Sequence, residues 1–275
     1  MPSCFRLQFG SILIRTIISL INRTPRLLLK EIIIVDDGTE RDHVKQPLDE
    51  FATFLPVRTE VIHLPKRKGT FYARMEGARR ASAPVLAFID PHSEFNVQWL
   101  EPLLKRLQEN RFRLVAPFPD GISEKTLSYV ASGPNQWGEF DWQFNYGWTS
   151  IPKKELSQKH GDPTIPTRTP AVVACHMLMD REFFFRLGGF DTKMKTWGML
   201  TLETSIKYWL CGESVEYVPC SRVGHLNKMT PLHQREYFDS NGSGSYKGVL
   251  RFNQKRTVDV WLTNTKTLFM HIILK

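Results

Sequence analysis

Cysteine is scarce in this chain: four in 275 residues, at Cys4, Cys175, Cys211 and Cys220. Their spacing makes neither a zinc knuckle nor a dense disulfide framework. Cys211 and Cys220 stay open to two readings, as partners of cysteines elsewhere or as inert buried thiols. Long apolar runs are lacking too. None approaches the roughly 20 residues of a membrane-spanning helix, so no membrane span is expected here. The apolar stretch Ser11 to Ile21 is interrupted by Arg15 and spaces Leu13, Ile14, Ile17, Ile18 and Ile21 as a packed amphipathic helix does. No small-residue cleavage site follows, so the stretch makes a poor signal peptide and no export signal is visible. Acidic side chains are in deficit, 28 against 37 Lys and Arg, which leaves a net charge of +9. That excess favours an acidic partner such as a phosphorylated ligand. The basic residues are scattered and no nucleic-acid motif accompanies them, so nucleic acid is not expected as a partner.

What is present reads as an α/β protein. The length suits one domain or two small ones. After a helix over 11–22, Glu31–Val35 is a β-branched run ending in Asp36-Asp37-Gly38, as expected of a strand covered on both faces. The pattern then predicts a helix over 41–54, a strand at Val61–Leu64, a helix around Tyr72–Ala81, a strand at Val85–Ile89, a helix over Val97–Arg111 and a strand at Leu114–Pro117. Alternating strands and helices imply a mostly parallel, doubly wound sheet. The second half differs. Aromatics in near alternation over 137–148 predict an antiparallel strand. Helices are expected over Asp180–Leu187 and Thr201–Leu210, a short strand over Glu216–Pro219 and a tight turn at Ser221–His225. Residues 239–248 are Gly/Ser-rich and read as a mobile segment.

The central run Val85-Leu86-Ala87-Phe88-Ile89 ends in Asp90-Pro91-His92. Ligands of open α/β sheets bind beyond the carboxyl ends of the strands. Side chains one residue apart in extended backbone point the same way, so Asp90 and His92 share a face. A carboxylate and an imidazole suit manganese or zinc better than calcium; a strand cap with an incidental histidine is the plainer alternative. Lys66-Arg67-Lys68-Gly69 opens a helix, where backbone donors favour an anion, or else is a solvated charge cluster. Asp37 suits a ribose or base contact, or else caps the next helix.

In order along the chain, the sequence carries Arg15-Thr16, Val35-Asp36-Asp37, Arg67-x-Gly69 with Ala73-Arg74, Asp90-x-His92-x-Glu94, Asn96-x-x-Trp99-Leu100-Glu101-Pro102, Phe140-x-Trp142, Trp197-Gly198, Trp209-x-Cys211-Gly212 and Pro219-Cys220-Ser221-Arg222-Val223-Gly224-His225. In order and spacing this series resembles the catalytic domain of the polypeptide N-acetylgalactosaminyltransferases, over most of residues 11–262. The resemblance implies a GT-A glycosyltransferase fold with additional mixed strands. Residues 1–120 would form the nucleotide-binding half and residues 121–275 the sugar and acceptor half, with no lectin domain. It implies Mn²⁺ held by Asp90, His92 and His225. It further implies UDP or UDP-GalNAc bound with Asp37, Arg67, Asp90 and Trp197, an acceptor peptide carrying Ser or Thr, and residence in the Golgi or another secretory lumen.

Departures from the family pattern temper that expectation. Where the family has Trp-Gly-Gly-Glu-Asn, this chain has Trp197-Gly198-Met199-Leu200-Thr201, so Leu200 stands where the acid belongs. Ala-Gly-Gly-Leu-Phe is matched by Val173-Ala174-Cys175-His176-Met177, putting side chains where glycine left room. Pro91 replaces the serine of the metal motif, and Lys228 replaces an arginine. The family's full first strand, ahead of Arg15-Thr16, has only Met1–Phe9 to match it. The counterparts of Cys211 and Cys220 form disulfides with outer cysteines that have no equivalent here. No catalytic residue is assigned. The expectation is a shortened, degenerate member with a kept metal–UDP half-site and a crippled sugar half-site. An active retaining UDP-GalNAc:polypeptide transferase and a truncated non-catalytic interaction protein are the alternatives.

Overall fold

The computed structural model describes residues 3–40, 42–133, 135–226 and 246–262. Helix α1 spans Ser3–Arg23, so the segment ahead of Arg15-Thr16 is helical rather than a strand. β1 (Glu31–Asp36) pairs in parallel with β2 (Arg58–His63), from Glu31 opposite Arg58 to Asp36 opposite His63. The crossover between them is α2 (Gln46–Thr53). This helix is shorter than the expected 41–54 because Pro47 sits in its first turn, where a missing N–H costs nothing and a helix starts readily. α3 (Thr70–Arg80) leads to β3 (Val85–Ile89) and β4 (Ser93–Phe95). α4 (Glu101–Glu109) begins four residues later than its apolar spacing suggests. Gln98 ahead of it has φ 61°, outside the helical region, and Pro102 lies in the first turn.

β5 (Leu114–Ile122) is followed by the short β6 (Tyr129–Val130). The aromatic run is a hairpin and not one strand: β7 (Gln136–Phe140) pairs antiparallel with β8 (Tyr146–Ser150). Asp141 folds the chain back there. Its carboxylate accepts the amides of Gln143 and Asn145, both at 2.9 Å, and Phe144 takes φ 60°. α5 (Lys153–Ser157), β9 (Thr167–Arg168), β10 (His176–Asp180), α6 (Arg181–Arg186), α7 (Leu200–Cys211), β11 (Val215–Leu226) and α8 (Tyr246–Trp261) complete the described chain.

The main sheet has the order β3-β10-β5-β11-β4, with β6 on β5 and β9 on β11. β3, β5 and β11 run the same way, while β10 lies antiparallel between β3 and β5 and β4 antiparallel beside β11. The expected tight turn at 221–225 is therefore strand. Three residues, 219–221, bulge out where the register slips between Val218 opposite Pro117 and Arg222 opposite Phe118. Beyond the bulge, pairing on both edges keeps 222–226 extended.

β10 shows how the sheet divides the core. Met177 and Met179 enter one apolar cluster with Phe71, Phe88 and Leu202, while Leu178 enters the other with Trp99, Leu103 and Val115. Alternation with period two puts consecutive residues on opposite faces. Each such fully buried side chain contributes about 1.5–3 kcal/mol relative to exposure. Cys211 and Cys220 are exposed free thiols, contrary to the buried-thiol reading, and no disulfide joins the described cysteines. Among the described residues no helix is long and apolar enough to cross a membrane. Most of 239–248, and Lys228, lie outside the described residues.

Candidate functional site

Asp90 follows directly on β3, and its amide donates to the Cys175 carbonyl at 2.9 Å. The antiparallel β4–β11 pair sets His225 opposite Ser93, and the Leu226 amide donates to the His92 carbonyl at 3.2 Å. That pairing brings together two imidazoles far apart in sequence, with ring centroids 4.5 Å apart. Asp90 Oδ2 lies 3.2 Å from His225 Nε2 and 3.9 Å from His92 Nε2. One ligand atom from each of Asp90, His92 and His225 fits within 4.8 Å of the others.

Arg74 braces this cluster. Its Nη2 donates to Asp90 Oδ1 at 2.5 Å and its Nη1 to the Ala174 carbonyl at 2.6 Å. Burial works to raise the Asp90 carboxyl, yet the Arg74 charge and the His225 hydrogen bond hold it well below the usual carboxylate range. Burial pushes His92 down to about 4, so its ring is neutral near pH 7, the form that ligates a metal. With Oδ1 taken by Arg74, Oδ2 and two imidazoles remain together. That donor set fits a divalent ion of the manganese or zinc type.

The other expected residues converge on the same cleft, of about 2440 Å³, which Asp37, Arg67, Asp90, His92, Trp197 and His225 all line. Asp37 does not cap the helix that follows it. Its carboxylate reaches across to the amides of Lys68 at 2.7 Å and Gly69 at 2.8 Å, fastening the basic turn ahead of α3. Burial nonetheless raises the Asp37 carboxyl. Gly69, at φ 97°, packs where a Cβ would sit 2.7 Å from the Thr196 backbone, so no other residue fits this approach. Trp197 is half exposed, its ring 6.1 Å from that of Tyr246.

The sequence matches glycosyl transferase family 2 over residues 1–187. The chain belongs to that family. It is 38% identical over 266 residues to polypeptide N-acetylgalactosaminyltransferase 13 of Rattus norvegicus, covering 96% of this chain and 46% of the relative. It is 37% identical over 268 residues to polypeptide N-acetylgalactosaminyltransferase 3 of Drosophila melanogaster, covering 97% and 39%. The chain thus spans about half the length, or less, of these curated relatives. Among solved structures, GalNAc-T7 with UDP, GalNAc and Mn²⁺ superposes with a TM-score of 0.82 at 31% identity, over 94% of this chain and 48% of that one. The fold is GT-A. Staphylococcus aureus TarS 1-349, at 12% identity and a TM-score of 0.56 over 94% of this chain and 71% of that one, adds support for the fold alone.

In this family 2 glycosyltransferase domain the amides of residues 172–174, beside the cleft, are tied up internally. The Val172 amide donates to Ser205 Oγ at 3.2 Å, Val173 to the Tyr217 hydroxyl at 2.8 Å and Ala174 to Thr201 Oγ1 at 3.1 Å. Met199, at φ 70°, and Leu200 are both buried. His176 turns inward: its Nε2 lies 2.8 Å from Ser93 Oγ, and burial pushes its ring down to about 3. At the two positions where the family has glycine, Ala174 and Cys175 both line the cleft, while His176 packs beneath it. Sequence reasoning gave Arg74 no role, since its position in a motif says nothing of a contact with Asp90 and Ala174. It also did not foresee that Thr201 and Ser205 would claim the 172–174 amides.

Proposed function

We propose that this chain keeps a divalent-metal and UDP half-site while its sugar half-site no longer supports ordinary transfer. It then acts as a binding or regulatory relative of the polypeptide N-acetylgalactosaminyltransferases. Mn²⁺ would be held by Asp90, His92 and His225 and would neutralise the charge of a diphosphate. Asp37, Arg67, Asp90 and Trp197 would take the nucleotide, with residues 1–120 as the nucleotide-binding half and 121–275 as the sugar and acceptor half. The curated relatives and GalNAc-T7, solved with UDP, GalNAc and Mn²⁺, support the choice of ligand and metal. Residence in the Golgi or another secretory lumen belongs to the same proposal.

One observation carries the loss of transfer. The acid position is the buried Leu200, and the amides of 172–174 are spent on Ser205, Tyr217 and Thr201. A leucine accepts no hydrogen bond from a sugar hydroxyl. A sugar hydroxyl left unpaired in a buried site costs about 1–3 kcal/mol. The test is calorimetric titration of UDP with Mn²⁺ and then with EDTA, beside an assay of GalNAc transfer to a Thr-containing peptide. Metal-dependent UDP binding without transfer is the expected result. Transfer at rates typical of an enzyme, or no UDP binding by folded protein, overturns it.

A further inference from the structure

α8 carries a buried polar stripe. Val249, Asn253 and Thr257 follow one another at every fourth position and all are buried, Asn253 and Thr257 fully so. That spacing is the row a helix turns toward a core, and the row is normally apolar. An amide sealed in there costs free energy unless its donors and its acceptor are met. Asn253 meets them on one short segment. Its Oδ1 accepts the Lys195 amide at 2.8 Å. Its Nδ2 donates to the carbonyls of Lys195 at 2.9 Å and Trp197 at 3.1 Å, with that of Gly198 at 3.4 Å. Thr257 Oγ1 in turn donates to the Asn253 carbonyl at 3.0 Å.

The segment that Asn253 grips needs holding. Thr196 has φ 40°, Gly198 φ 92° and Met199 φ 70°. Glycine takes such values freely, whereas a β-branched residue there is an outlier. Strain of this kind persists only where the surroundings over-determine it, and it gathers at ligand clamps. Asn253 supplies that constraint, since it pairs with Lys195 on one side of Thr196 and with Trp197 and Gly198 on the other.

The same segment is a wall of the nucleotide cleft. Trp197 and Gly198 line it. The Thr196 carbonyl accepts the Thr70 amide at 2.9 Å, at the start of α3, and Gly69 packs against the Thr196 backbone. Gly69 is also the residue whose amide the Asp37 carboxylate holds. A continuous set of contacts therefore runs from Asn253, buried behind the wall, through residues 195–198 to the basic turn and Asp37.

We infer that Asn253 is a positioning residue, which sets Trp197 and the start of α3 in the posture that receives the nucleotide. The inference rests on the nucleotide reading given above for Asp37, Arg67 and Trp197, but the posture of the turn is measurable without any ligand.

Hydrogen exchange on the unmodified full chain tests the posture first and depends on no variant. The Lys195 amide is expected to be protected as strongly as the amides of α8; exchange at open-chain rates overturns the inference. Asn253→Ala then removes the clamp. Leu107→Ala, buried in α4 in the other apolar cluster, serves as a variant destabilised elsewhere. Acrylamide quenching of Trp197 is read as the difference between each protein and its Trp197→Phe counterpart. Asn253→Ala is expected to raise it about two-fold and to weaken Mn²⁺-dependent UDP binding about ten-fold, the scale of one or two lost hydrogen bonds. Leu107→Ala is expected to change neither. Equal shifts in the two variants would mean general loosening and overturn the inference, as would unchanged quenching in Asn253→Ala. A looser Trp197 with unchanged UDP affinity overturns the positioning role. A wild type that binds no UDP would overturn the nucleotide reading instead, and quenching alone would then decide whether Asn253 sets the turn.

Discussion

Asp90 Oδ2 lies 3.2 Å from His225 Nε2, although 135 residues separate the two in the chain. The β4–β11 pairing creates that contact, and His92 joins it from the turn between β3 and β4. If these three side chains hold the metal, Asp90→Asn, His92→Ala and His225→Ala each remove a ligand without touching the apolar clusters. Each is expected to weaken Mn²⁺-dependent UDP binding by at least ~100-fold, more than loss of an outer partner costs. Calorimetry with and without EDTA reads the effect. Metal-dependent UDP binding of wild-type strength in any of the three would mean that residue is no ligand.

Arg74 acts on the same cluster from behind. It fixes Asp90 Oδ1 and the Ala174 carbonyl together, so it couples the metal cluster to the wall at 172–175. Arg74→Ala is expected to lower Mn²⁺ affinity by about 10–100-fold, the usual effect of removing an outer-shell partner. Paramagnetic resonance of free Mn²⁺ during titration measures it. Unchanged affinity would show that Asp90 holds its orientation unaided.

Much of this site was legible in the sequence because its parts are local. Val85–Ile89 running into Asp90-Pro91-His92 announced a strand with two ligand-type side chains at its mouth, and the structure has that strand and that turn. His225 was reached only through resemblance, since no local pattern links it to Asp90. The bulge at 219–221 was hidden for a similar reason. Ser221–His225 reads as a turn by composition, and long-range pairing with β5 and β4 overrides it. The aromatic run 137–148 alternates like a single strand, but the hydrogen bonds of one side chain, Asp141, turn it back on itself. Arg74 and Thr201 are long-range contacts, and spacing does not encode those.

Restoring the family's acid tests which defect matters. Leu200 is 7% exposed and belongs to the larger apolar cluster. Leu200→Ala is expected to cost about 2–5 kcal/mol by urea denaturation. The combined change Met199→Gly, Leu200→Glu, Thr201→Asn is expected to yield no transfer to peptide, because Ser205 and Tyr217 still hold the amides of Val172 and Val173. Appearance of transfer in that variant would place the whole defect at 199–201.

Lys207 and Glu203 form an ion pair at 2.7 Å, with side chains 5% and 0% exposed, one turn apart on α7. Burial raises the Glu203 carboxyl, and the Lys207 charge opposes this. Removing one partner strands the other. Lys207→Met is expected to destabilise the domain by about 3–5 kcal/mol, and adding Glu203→Leu to recover most of that. A double variant no more stable than Lys207→Met would assign the cost to the lost contact of Lys207 Nζ with the Gly189 carbonyl.

His63 gives the domain a stability term whose pH dependence has a definite sign. Its Nδ1 lies 3.0 Å from Asp36 Oδ2 and its Nε2 3.0 Å from Asp49 Oδ1, so the ring clips β1 and β2 to α2. The Asp36 hydrogen bond, more than Asp49, raises the His63 value above the ordinary 6.5, against a smaller opposing effect of burial. A group raised on folding stabilises fully below its unfolded value and loses that contribution as pH climbs through the folded one. The stability gap between wild type and His63→Asn is therefore expected to be widest at about pH 6 and to close by about pH 9. Urea midpoints across that range measure it. A gap that widens with rising pH would show that the neutral ring, and not the imidazolium, is the form that holds β1 and β2 to α2.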